Sequence, residues 1–232
     1  MGFGHRSPRL DRAVAPPRPA ASPLQSTAPP SGNLQHCANA ASDIVTMLLA
    51  AYTMQRRLQA DAVIAAAAAL TGEFALRSTG IPIPDKGMVA GDAMNDVLFA
   101  GAPEGRPTAW MFIMHAAREA GVPAYDLPRI EALAVAFAEA DSGMVGSRSV
   151  QERYAPRELP QNVGPRFRHK VIAIADTHDL SLREITIALG AATGQLILRT
   201  QQEFPPRVAV TLAAETMLMV ARMAPLAEAV TA

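Results

Sequence analysis

The chain has one cysteine, Cys37, among 232 residues, and only 5% of its residues are aromatic. A single thiol cannot close an intramolecular disulfide and cannot build a multi-cysteine zinc site. A reducing compartment suits such a chain, and a cytoplasmic location is expected. Half of the residues are apolar, so a core of small and aliphatic side chains is implied. That favours closely packed helices over aromatic-rich strands. Long apolar runs are also missing. The nearest, 208–223, is interrupted by Glu215 and Arg222, short of the roughly 20 residues a membrane helix needs. The first thirty residues contain no apolar run of the secretory kind. No membrane insertion is expected.

Lysine is scarce as well: of 21 basic residues, all but Lys86 and Lys170 are arginine. The formal net charge is zero but unevenly spread. Residues 1–42 carry four Arg and one Asp, residues 43–145 seven basic and twelve acidic groups, and residues 146–232 ten basic and eight acidic. This balance excludes a strongly basic nucleic-acid binder and leaves room for one locally basic face.

Residues 1–40 are rich in Pro, Ser, Ala and Arg and have little to bury, so a disordered tail is expected there. From Ser42 the texture changes. Ile44, Met47, Leu48, Ala51, Tyr52 and Leu58 recur at helical spacing, and the pattern continues through Val63, Ile64, Leu70 and Phe74. Either one helix spans 43–77 or two meet near Gln59 and Asp61. Prolines and glycines in 80–91 imply an ordered loop, with Asp92 capping a short helix. Further helices are expected at 107–120, stopped by Gly121, at 127–141 with Asp126 as cap, and at 165–177. Ser181 and Glu184 have the capping-box spacing that opens another helix, and a last one is expected over 207–223. The predicted fold is all-α: orthogonal or bundle-like packing of about seven helices behind the tail. The helical domain is 41–232, either one unit or two lobes, 43–142 and 165–231, joined by the polar segment 143–164.

Three places could carry chemistry. The segment 182–200 resembles a DNA-binding helix-turn-helix, with Ile185 and Leu189 in a first helix, Gly190 in the turn and Leu196 anchoring a second. Arg166, Arg168, Lys170, Gln195 and Arg199 are its candidate DNA contacts. The motif departs from that pattern where bases would be read, because Ile197 and Leu198 stand on the face that should be polar. Asp176, His178 and Asp179 are spaced for a divalent ion or a proton shuttle, as in helical metal-dependent hydrolases, or for the polar end of a helix. Asp85, Lys86, Asp92, Asn95 and Asp96 cluster in the loop near 80–96 without the spacing of a P-loop or an EF-hand. No catalytic residue, cofactor or metal is assigned.

The expected function is association with another protein or with itself, through apolar helices (44–77 and 207–223) with small-residue stripes. A transcriptional regulator using 182–200, and a metal-dependent hydrolase around His178, are the alternatives.

Overall fold

The computed structural model describes residues 31–83, 94–99, 106–139, 149–156 and 158–226. Among these the protein is all-α, with eight helices: α1 Ser31–Tyr52, α2 Ala60–Ser78, α3 Asn95–Leu98, α4 Ala109–Glu119, α5 Ile130–Glu139, α6 Val163–Thr177, α7 Leu182–Thr200 and α8 Pro206–Ala221. No described helix is long and apolar enough to cross a membrane.

One boundary differs from expectation, and one open alternative is decided. Residues 31–40, assigned to the tail, belong to α1. Cys37, Ala40 and Ala41 are buried there, one and two turns ahead of Ile44, so the buried stripe extends through small side chains rather than starting at Ser42. The rest of the expected tail, 1–30, lies outside the described residues, as do Asp85, Lys86 and Asp92. Of the two readings of 43–77, the divided one holds: α1 ends at Tyr52 and α2 opens at Ala60, with a hairpin between them. Strands β1 Thr53–Met54 and β2 Arg57–Leu58 pair antiparallel around Gln55 and Arg56. Both turn residues have positive φ, 49° and 63°, which costs a non-glycine residue roughly 1–2 kcal/mol. This hairpin turns the chain back and supplies the eighth helix.

Helix ends follow local chemistry. Thr108 caps α4 by accepting from the Met111 amide. Gly121, at φ 85°, ends it, while the Val122 amide donates to the Ala117 carbonyl and the Gly121 amide to that of Arg118. These two bonds form a Schellman motif. Asp126 opens no helix: it lies in a short 3-10 turn, and α5 starts four residues later. The capping box at Ser181 and Glu184 is fully formed.

The core is built around α2. All its residues from Ala62 to Leu76 are buried, as expected of a helix that is apolar on every side. It packs against α8 and α7, and more lightly against α6 and α1. Buried residues from both stretches that could have formed separate lobes make one continuous cluster. Close approach depends on small residues. A Cβ on Gly72 would lie 2.2 Å from the Met217 carbonyl oxygen, and one on Gly190 would lie 2.5 Å from the Ala109 Cα. Backbone therefore rests on backbone at both crossings.

One charged network is enclosed. Glu73 of α2 accepts from Arg77 (Nε to Oε1, 2.8 Å) and from the buried Arg168 of α6. Arg168 also donates through Nη2 to the Leu226 carbonyl, 2.9 Å away, and so holds the segment after α8. Thr71 and Thr193 face each other in the core, and each donates to the carbonyl four residues earlier in its own helix, which satisfies both hydroxyls internally.

Two outcomes follow for stability. Gly72→Ala adds helix propensity but forces α2 and α8 apart, so a net loss of roughly 1–3 kcal/mol is expected in urea unfolding. Glu73→Ala leaves the Arg168 guanidinium buried without its carboxylate, and a loss of about 3–5 kcal/mol is expected; replacing both residues by Met should recover much of it.

Candidate functional site

A surface groove of about 330 Å³ runs between α1 and α4, both of which pack on α7. Its lining comes in three stripes at helical spacing: Leu34, Cys37 and Ala38 from α1; Phe112, His115, Ala116 and Glu119 from α4; Ala191, Gly194, Gln195 and Leu198 from α7. Residues three and four apart share a helix face, so each helix contributes one continuous ridge. Most of α7 is buried, and Ala191, Gln195 and Leu198 are its half-exposed stripe. Leu34 is 44% exposed at the mouth. The walls approach closely because Gly194 lacks a side chain: a Cβ there would lie 2.9 Å from the Phe112 carbonyl oxygen and 3.0 Å from the Ala116 Cβ. His115 and Glu119, 4.0 Å apart, form an exposed polar rim. The volume lies at the lower end of the range of small-ligand clefts, and apolar walls with a few polar groups are the usual composition of such sites.

Long-range polar contacts hold the α1 wall in place. Glu184, in the first turn of α7, accepts from the Asn33 side chain as well as from Ser181. The Cys37 thiol points at the Glu184 carbonyl oxygen, 3.7 Å away. His36 Nδ1 lies 3.0 Å from the His178 carbonyl oxygen, and His178 Nε2 lies 2.8 Å from Asp43 Oδ2. Burial disfavours ionised Glu184, but hydrogen bonds from the Ser181 side chain and backbone and from Asn33 outweigh it and hold the carboxyl below the usual range. For Cys37, burial first and the Glu184 charge second push the thiol up to about 11 from 9.0.

The sequence-predicted residues are dispersed. Segment 182–200 is one uninterrupted helix, not a helix-turn-helix: Gly190 is in its middle, pressed on Ala109. Ile197 is fully buried and Leu198 half-buried. Arg168 does not face solvent, since it is committed to Glu73. Arg166 pairs with Glu158 and lies 4.8 Å above the Phe167 ring. Glu158 in turn accepts from the Tyr52 hydroxyl at 2.6 Å. Lys170 is exposed, its ammonium 5.8 Å from the same Phe167 ring. Arg199 is exposed near the end of α7, and Gln195 lies in the groove. The candidate groups are divided between α6 and α7, two helices that each pack on α2 and α1.

The Asp176 to Asp179 stretch is the end of α6. Asp179 takes the left-handed conformation at φ 55°, and the Leu180 amide reaches back to the Ala175 carbonyl. Among the described residues no three His, Cys, Asp or Glu side chains converge as a metal site would require. Leu34, Cys37, Ala38, Phe112, Ala191 and Gly194 carry no motif in the sequence. Their only sequence trace is the spacing of three and four within each helix, which core residues share.

The depressed thiol reactivity is measurable. In the native full chain, the Cys37 thiolate fraction near neutral pH should be about a hundredfold smaller than in the unfolded chain, and iodoacetamide labelling correspondingly slower. The raised pKa also means a stability contribution that is complete below 9.0 and declines as pH rises towards about 11, because the unfolded thiol ionises first. Equal labelling rates in buffer and in urea at pH 8 would contradict this. In comparisons with known proteins, no protein-family model matches the chain, and neither a curated protein nor a solved structure is significantly similar to it.

Proposed function

We propose that the protein acts by association, using the groove between α1, α4 and α7 to receive an apolar segment of a protein partner. The observation that carries this is the half-exposed stripe of α7, with Leu198 at its end, flanked by Leu34 and Phe112. Between Ile185 and Ile197 the remaining residues of α7 are buried. An apolar side chain entering this groove would complete the same three-ridge packing. The His115–Glu119 rim would supply orientation by polar contact. The setting proposed is cytoplasmic, in keeping with one reduced and poorly reactive thiol.

A displayed random-peptide library offers the direct test, selected against the full chain and counter-screened against Leu198→Glu. Recovered peptides should share one or two apolar anchors. They should bind the variant at least about tenfold more weakly, the scale expected when a central apolar anchor is lost. Thermal unfolding of the variant checks that the fold persists, and Leu198→Ala provides a milder substitution. Selection of peptides indifferent to both changes, or of none, would overturn the proposal.

A further inference from the structure

The groove opens beside the point where the described chain begins. Leu34, Cys37 and Ala38 lie in the first two turns of α1, and thirty residues precede Ser31 in the sequence. Those thirty residues contain seven prolines, and four Arg against one Asp. Within them, 16–24 combines Pro16, Pro17, Arg18, Pro19, Pro23 and Leu24. Proline-rich stretches lose little entropy on binding and dock in apolar grooves that present an aromatic side chain. The groove presents Phe112, and its rim carries the exposed carboxylate of Glu119, which could pair with Arg18.

Reach is sufficient. Leu24 is seven residues before Ser31, a span of up to about 25 Å when extended. The α4 wall from Phe112 to Glu119 is only about 10 Å long. A segment tethered this close acts at an effective concentration in the millimolar range, so even weak affinity would keep the groove covered.

We propose that residues 16–24 of this same chain occupy the groove as a built-in competitor, which a partner must displace. This rests on the groove being a docking site, and the segment then sets the threshold for docking. The Glu119 carboxylate on the rim is opposite in charge to Arg18, the one charged residue of the segment.

Nile red fluorescence titration of the full chain tests it. The variants are Arg18→Glu with Leu24→Asp, the same pair combined with Leu198→Glu, and Leu198→Ala as the milder groove change. If the segment covers the groove, the double variant should bind the dye about tenfold more tightly than the wild type. That gain should vanish with Leu198→Glu, and a synthetic peptide of residues 14–26 should reverse it in trans. Equal, Leu198-dependent binding by wild type and double variant would overturn the competitor while leaving the docking site standing. Dye binding indifferent to both Leu198 changes would overturn docking site and competitor together. Wild-type binding that weakens with rising protein concentration, unaltered by the segment changes, would assign the groove to a second copy and overturn the competitor.

Discussion

Backbone-to-backbone contact at Gly72 governs where the other helices can go. The Gly72 Cα lies against the Met217 carbonyl, so α8 sits on α2 at a separation that no side chain could share. Beside α8, α7 packs on a second face of α2, marked by Thr71, and its own glycines repeat the arrangement towards α4. Helices that pack through alanine and glycine gain little from any one burial and depend on many short dispersion contacts. Such a core tolerates few volume changes, because every added carbon meets main chain rather than a movable side chain.

Polar groups do the locating that small apolar residues cannot. An alanine-rich face is nearly featureless and would permit several registers. Glu73 with Arg168 fixes α6 on α2, and Glu158 joins Tyr52 of α1 to Arg166 of α6. Asn33 and Glu184 set α1 against α7. A buried pair such as Glu73–Arg168 adds little net stability, yet removing one partner is costly. The value of these contacts here is positional, since each ties residues about a hundred positions apart or joins two helices at one point.

Much of the fold was legible in sequence because caps and period are local. The Ser181–Glu184 box and the glycine stop at Gly121 occur where their chemistry placed them. A division of 43–77 near Gln59 was one of two readings, but the hairpin turn at Gln55 and Arg56 was not legible, since neither residue favours positive φ and no Asn or Gly marks the turn. The start of α1 was hidden by composition: Gln, His, Asn and Ala over 31–40 resemble tail until partners in α7 are known. Gly190 looked like a turn residue and proved to be a contact residue, because a missing Cβ serves both purposes. The groove was the least legible part, as exposure of a helix stripe depends on what the neighbouring helices leave uncovered.

The Asn33–Glu184 contact joins positions 151 residues apart, and it has a kinetic consequence. The carboxylate that receives Asn33 is positioned by the α7 capping box, so the seat for the front of α1 exists only after α7 and its preceding turn have formed. Although α1 is first in sequence, its leading half can seat only across a long loop closure. In the native state the same dependence runs in reverse: loss of the α7 cap would remove the seat that Asn33 occupies.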